Sequence, residues 1–150
     1  MSKAMCALNF MYSMERFATE IYRRQRGGFR QKALAEKLSY AVENESQHAS
    51  NLKHRILDLK GTPFPLAFLF QAAGCLLGLV SRCMSRKAAL RMDVAIEKRA
   101  VKDYGYFLRS LQLDDASKSL IRGIIADEEE HVSNWQDGIL LVQGKQAGND

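Results

Sequence analysis

No two cysteines in this 150-residue chain stand in a C-x-x-C pair: Cys6, Cys75 and Cys83 are scattered. That excludes zinc knuckles and rubredoxin-type iron sites, which need closely paired thiolates. An odd, unpatterned set of thiols suits a reducing compartment. Met1 to Met5 lack the charged-then-apolar layout of a secretory signal, so a cytoplasmic location is expected. Proline occurs only at Pro63 and Pro65, leaving long helices elsewhere uninterrupted. Val and Ile are outnumbered by Leu, Ala, Met, Lys, Arg and Glu, which favours helix over strand. The longest apolar run, Leu66 to Val80, rises ~1.5 Å per residue as a helix and cannot cross a hydrocarbon core of ~30 Å.

What remains is an ordinary folding composition, 47% hydrophobic and 26% charged, long enough for one domain with a real core. Acidic residues are the minority, giving a net charge of +5 and a pI near 9.2. Such a balance permits an anionic partner, a membrane surface or nucleic acid, without demanding one. The basic run RRQRGGFR, Arg23 to Arg30, lacks interleaved aromatics. It reads as cations complementing a helix C-terminus, and no nucleic-acid partner is expected.

Taken in order, the periodicity predicts a first helix over Leu8 to Gln25, ending at Gly27 and Gly28, with a stripe of Leu8, Met11, Glu15, Ala18, Tyr22 and Gln25. A second runs from Gln31 to Leu59 and stops at Gly61. Its stripe is Leu38, Ala41, Glu45, His48, Leu52, Ile56 and Leu59. His54 falls off that stripe and reads as a surface histidine. After the break at Gly61-Thr62-Pro63-Phe64-Pro65, the apolar run with Lys60 before it and Arg82, Arg86 and Lys87 after it has several readings. It could lie in a membrane interface, line an apolar channel, cross buried between hairpins, or form a subunit interface. A third bundle helix starts near Ser85 and runs to Leu111, with Leu90, Val94, Glu97, Val101, Tyr104 and Leu108 on its stripe. Asp114 and Asp115 cap a fourth, whose stripe holds Ile121, Ile124, Glu128, His131, Trp135 and Val142. The bundle is expected over residues 1–143, with a crossover near 62–84 and a mobile tail over 144–150.

One pattern occurs twice. Glu15 has Tyr22 seven residues on, and Glu45-Ser46-Gln47-His48 follows on the next helix; Glu97 has Tyr104 seven residues on, and Glu128-Glu129-Glu130-His131 follows. Residues three apart share a helix face, so each Glu-x-x-His offers a carboxylate and an imidazole together. Glu43, Glu129 and Glu130 fall on solvated faces. The six residues Glu15, Glu45, His48, Glu97, Glu128 and His131 interrupt otherwise apolar seams near mid-helix, with no Lys or Arg on those seams. A buried unpaired carboxylate costs several kcal/mol. Four together are incompatible with a domain stability of roughly 5–15 kcal/mol. Two divalent cations balance four carboxylates, as in di-iron and di-manganese four-helix bundles. Glu45 and Glu128 are expected to bridge, with Glu15 and Glu97 as terminal ligands and one metal on each of His48 and His131. Asp127 is a candidate acceptor for a ligand imidazole. Tyr22, Tyr104 and Trp135 read as core packing.

The chain also resembles a family. Glu15-x-x-Ala18-x-x-Ile21-Tyr22-x-x-Gln25, Glu45-Ser46-Gln47-His48 with Gly61-Thr62-Pro63, the stretch Ala73-Gly74-Cys75-Leu76-Leu77-Gly78, Ala95-Ile96-Glu97 with Tyr104, and Asp127-Glu128-Glu129-Glu130-His131 are similar to the motifs of demethoxyubiquinone hydroxylases. Met14, Phe17 and Arg24 stand where that family usually has glycine, narrowing the space beside Glu15. The resemblance implies an all-α, ferritin-like four-helix bundle of two hairpins joined by an apolar crossover helix. It implies two iron ions per chain, with manganese as the alternative, and oxygen transfer from O₂ to an electron-rich ring. The expected partners are O₂, a hydrophobic quinone-like substrate, an external electron donor and the inner face of the cell membrane. A homo-oligomer is also expected. The competing readings are a rubrerythrin-like peroxide reductase or ferroxidase, and a non-catalytic iron-binding module.

Overall fold

Three of the five α-helices start at a short polar side chain. In the computed structural model, which describes residues 2–146, Ser2 accepts from the Met5 amide at 3.2 Å and opens α1 (Lys3–Gln25). A short 3-10 turn, Arg26–Gly28, leads to α2 (Lys32–Asp58). The crossover α3 spans Ala67–Ser81. Ser85 accepts from the Ala88 amide at 3.2 Å and opens α4 (Arg86–Ser110). Asp114 accepts from the Ser117 amide at 3.0 Å ahead of α5 (Asp115–Gln146). These caps satisfy amides that the first helical turn leaves without partners. The last helix runs through Gly144, where the tail is expected to begin; 147–150 lie outside the described residues.

The end of α2 differs in detail from expectation. Gly61 donates to Ile56 O at 2.9 Å and Lys60 to Leu57 O at 2.9 Å. This is a Schellman turn whose left-handed residue is Lys60, at φ 57°, while Gly61 follows it. A side chain at Gly61 would displace the flexible end of Met5 and approach Ile56 O at 3.1 Å.

The fold is the all-α ferritin-like bundle: α1 pairs with α2, α4 pairs with α5, and α3 crosses between the hairpins lying on α1. Apolar side chains gather in two clusters at different heights. One contains Leu8, Met11, Leu52, Ile56, Ile121 and Ile124. The other contains Ile21, Tyr22, Leu34, Leu38, Leu90 and Trp135. On α1, α2 and α5 the carboxylates and imidazoles of the repeated pattern fall between residues of the two clusters. The bundle is thus two dry layers with a polar layer between them.

The placement of α3 separates its alternative readings. Its backbone presses on α1: a Cβ at Gly74 would stand 2.2 Å from Phe17 O, and one at Gly78 2.7 Å from Ile21 O. Most of its large side chains point away, with Phe68 53% exposed and Leu76 65% exposed, while Leu77 packs against the core. A fully buried crossover is therefore not what forms. Gln71, its one strongly polar residue, donates to Glu20 Oε1 at 3.1 Å and accepts from Arg16.

Gly74→Ala is expected to destabilise the fold by about 1–3 kcal/mol, because Phe17 O belongs to a helix backbone that cannot give way. Gly123→Ala, on α5 with nothing near its added methyl, is expected to stabilise by about 0.5–1 kcal/mol. Urea denaturation of both variants reads the contrast; equal effects would show that α3 does not sit this closely on α1.

Candidate metal centre

Helical periodicity decides what reaches the middle of the bundle. Glu15 comes from α1, Glu45 and His48 from α2, Glu97 from α4, and Glu128 and His131 from α5. Each is at most 3% exposed. Their side chains form two overlapping groups, Glu15–Glu45–His48–Glu128 and Glu45–Glu97–Glu128–His131, with the ligating atoms of each group within 4.8 Å of one another. Glu45 and Glu128 belong to both. His48 Nδ1 lies 3.3 Å from Glu15 Oε2, 3.5 Å from Glu128 Oε1 and 3.9 Å from Glu45 Oε2. His131 Nδ1 lies 3.0 Å from Glu45 Oε1, 3.2 Å from Glu128 Oε2 and 3.5 Å from Glu97 Oε1. All six expected positions converge.

Several of these atoms have no hydrogen-bond partner although they are buried: Glu15 Oε2, Glu45 Oε1 and His48 Nδ1. Close approach without hydrogen bonding means that lone pairs face a common point. A hard or borderline cation, taking oxygen and imidazole ligands, fits such a donor set.

The surrounding hydrogen bonds tie the hairpins together. Tyr104 on α4 donates to Glu15 Oε1 on α1 at 2.5 Å, and Tyr22 on α1 donates to Glu97 Oε1 on α4. The two tyrosines are thus more than core packing: each orients a carboxylate of the opposite hairpin. Their spacing of seven from each glutamate is the signal. Two turns along a helix, the phenol cannot meet its own glutamate, but it can meet the one on the antiparallel neighbour. Asp127 Oδ2 lies 2.9 Å from His48 Nε2, so this acceptor serves the histidine of α2 and not His131, one turn away on its own helix. Nε2 of His131 has no partner. Trp135 is fully buried against Tyr22, ring centroids 5.2 Å apart, with its indole N–H 3.5 Å from Glu97 Oε1. Exposed His54, Glu43, Glu129 and Glu130 lie outside the centre, as their helical phase implies.

Without a cation the cluster must hold protons. Burial pushes the Glu45 carboxyl well up, and the charges of Glu128, Glu15 and Glu97 add to it. Burial, then Glu128, lifts Glu97 to about 8. For the histidines burial acts downward but is overcome: the nearby carboxylates of Glu128 and Glu15 raise His48 to about 11, and those of Glu128 and Glu97 raise His131 to about 9. Glu128 goes the other way, because its contacts with His131 and His48 outweigh burial and bring it to about 2. The tyrosines are pushed well up, first by burial and then by the adjacent carboxylates, and remain donors.

Residues 11–137 match the sequence profile described as "Ubiquinone biosynthesis protein COQ7". The chain belongs to the COQ7 family. Among solved structures, it is similar to the bacterioferritin-related protein from Bacteroides fragilis, described as a dodecameric thioferritin. That likeness has a TM-score of 0.77 at 20% identity over 97% of this chain and 89% of that one, and establishes a shared fold. No curated protein sequence matches.

Two features of this COQ7-family chain escaped its sequence pattern. An apolar groove of about 270 Å³ opens between α1 and α4, lined by Phe10, Met14, Phe17, Met92, Ile96 and Tyr104 among others. Met14 and Phe17, the bulky replacements near Glu15, form part of its wall. Asp93, fully buried on α4, accepts from Gln25 Nε2 at 2.8 Å. Its position four residues before Glu97, on the same seam, is the signal that could have found it.

The metal-free protein is expected to lose stability as pH rises. His48 and His131 have folded-state values above the ordinary 6.5, so their contribution is complete below about 6.5 and is lost as pH passes about 9 and then about 11. Thermal melts across that window, with and without a divalent metal, test this: the fall should shrink when a cation replaces the protons. A flat metal-free profile would contradict the protonated cluster.

Proposed function

We propose that this chain is a di-iron, O₂-dependent monooxygenase that hydroxylates the ring of a quinone precursor at the membrane surface. The observation that carries the reading is the pair of overlapping, buried carboxylate–imidazole groups sharing Glu45 and Glu128. Glu15, Glu45, His48 and Glu128 would hold one ion and Glu45, Glu97, Glu128 and His131 the other, with Glu45 and Glu128 common to both. Iron bound there supplies reductive activation of O₂, chemistry that no side chain provides. Manganese satisfies the same donors. Tyr104 and Tyr22 fix the terminal carboxylates, and Asp127 fixes the ring of His48.

The groove between α1 and α4 is the substrate channel. It is apolar, reaches Tyr104, and through that phenol's hydrogen bond adjoins Glu15. Its walls exclude water from the reacting ring. The outward face of α3, with Phe68, Leu69, Leu76, Leu79 and Val80 exposed and Arg82, Arg86 and Lys87 beside it, lies in the membrane interface. No helix among the described residues is long and apolar enough to cross a membrane. Electrons come from an external donor. The chain forms a homo-oligomer, for which light scattering of the metal-loaded protein is the check.

Protein loaded anaerobically is expected to hold close to two irons per chain, one for each four-residue group. Glu45→Ala and His131→Ala should each reduce that content; normal iron in both variants would remove the site assignment. Iron-loaded protein given reductant, O₂ and a prenylated quinone precursor in liposomes should release hydroxylated product. Rapid peroxide consumption without binding to liposomes or quinone analogues would instead establish the rubrerythrin-like reading.

A further inference from the structure

Most of the buried polar groups at the middle of the bundle belong to the centre or its supporting hydrogen bonds. Asp93 and Gln25 extend the polar layer in one direction only. Gln25 lies three residues beyond Tyr22 on α1, and Asp93 lies four residues before Glu97 on α4. The Gln25–Asp93 pair therefore stands beside the Tyr22–Glu97 pair, one helical turn further from the metals. The corresponding positions of the other half, by the sequence repeat, are Met11 and Phe107, which pack in or against the apolar cluster there. The bundle architecture therefore does not require polar groups at this level.

The hydrogen bonding of the pair is half made. Gln25 Nε2 donates to Asp93 Oδ1, while Gln25 Oε1 and Asp93 Oδ2 are both buried without a partner. Two acceptor oxygens left over on an amide and a carboxyl are the complementary halves of a second hydrogen bond, if the carboxyl carries a proton on Oδ2. An ionised carboxylate here would leave both unsatisfied in a dry site, at the full cost of desolvation. Among the described residues no Lys, Arg or His forms an ion pair with Asp93. Facing groups are Tyr22 from α1 and Glu97 on its own helix. Around Leu90, in the neighbouring layer, α2 and α5 supply Leu34, Leu38, Trp135 and Val142. Arg82 and Arg86 line a cavity of about 240 Å³ that also reaches Gln25 and Ser81.

We propose that Asp93 and Gln25 form a neutral acid–amide pair that holds a proton beside the centre, refilled from the cavity under Arg82 and Arg86. Burial lifts Asp93 to about 7 against the downward pull of the Gln25 amide, so the carboxyl exchanges its proton near neutrality. Tyr22 is close enough to feel the charge of Asp93, which places the pair in electrostatic contact with the hydrogen bond to Glu97. The purpose of the proton rests on the hydroxylase reading: O₂ gives one atom to the ring and the other to water, consuming donor electrons and protons in equal number. The proton leaves Asp93 Oδ2 toward the centre, and the carboxylate left behind takes another that enters past Gln25, the member of the pair that lines the cavity. While protonated, Asp93 adds no negative charge to a centre that four carboxylates already load.

Infrared difference spectroscopy of the metal-loaded protein tests the pair without reference to catalysis. At neutral pH the wild type is expected to show the carbonyl stretch of an uncharged carboxyl that Asp93→Asn loses, at unchanged metal content, and that fades as pH rises through about 7. Gln25→Met should move that band without abolishing it. Persistence of the whole band in Asp93→Asn overturns the assignment, as does a band that Gln25→Met leaves unmoved. In turnover, the alkaline limb of the wild-type pH profile is expected to disappear in Asp93→Asn; a limb retained there overturns the role in proton delivery. Should no quinone be hydroxylated while the band behaves as described, the hydroxylase reading falls and the acid–amide pair stands.

Discussion

Four carboxylates and two imidazoles share a dry layer between two apolar clusters, and the rest of the structure answers to that repulsion. Each apolar layer keeps out the water that would otherwise screen the charges. Compensation must then come from inside, either as protons taken up by Glu45, Glu97 and the histidines or as cations placed among them. Tyr22, Tyr104 and Asp127 do not relieve the charge. They fix where each group points, so that the unsatisfied lone pairs meet at common points.

The two hairpins repeat one design, yet their surroundings are unequal. The ring of His48 has a carboxylate behind it, whereas His131 has the edge of Tyr40 at 6.1 Å and an Nε2 without a partner. Trp135 approaches Glu97, and the Asp93–Gln25 pair adds a polar step beyond it. In the other half Met11 and Phe107 close the corresponding direction with apolar surface. The two halves of the centre thus differ in their hydrogen-bond partners and in their access to solvent.

Small residues determine how α3 can serve as a surface. Gly74 and Gly78 let its backbone lie on α1, which turns Leu69, Leu76, Leu79 and Val80 outward. The apolar face is therefore a consequence of close helix contact, and it sits beside the basic residues that follow the helix. The groove walled by Met14 and Phe17 opens against α4, where α1 and α4 make little direct contact.

Which helices form, and which six residues reach the bundle centre, followed from the sequence by itself. A 3.6-residue period ties each glutamate and histidine to an apolar seam, and the doubled Glu-x-x-His pattern leaves little freedom in pairing the hairpins. The family resemblance was carried by the same residues and by the glycine-containing apolar stretch. Tertiary structure alone decided the relations between helices. Tyr22 meets Glu97, Tyr104 meets Glu15 and Asp127 meets His48 across gaps of 75 to 89 residues, and a spacing within one helix points to such pairs only once the antiparallel packing of the neighbour is known. The same holds for Asp93, whose burial depends on Gln25 arriving opposite it, and for α3, whose apolar residues could have faced the core until the glycines placed its backbone there instead.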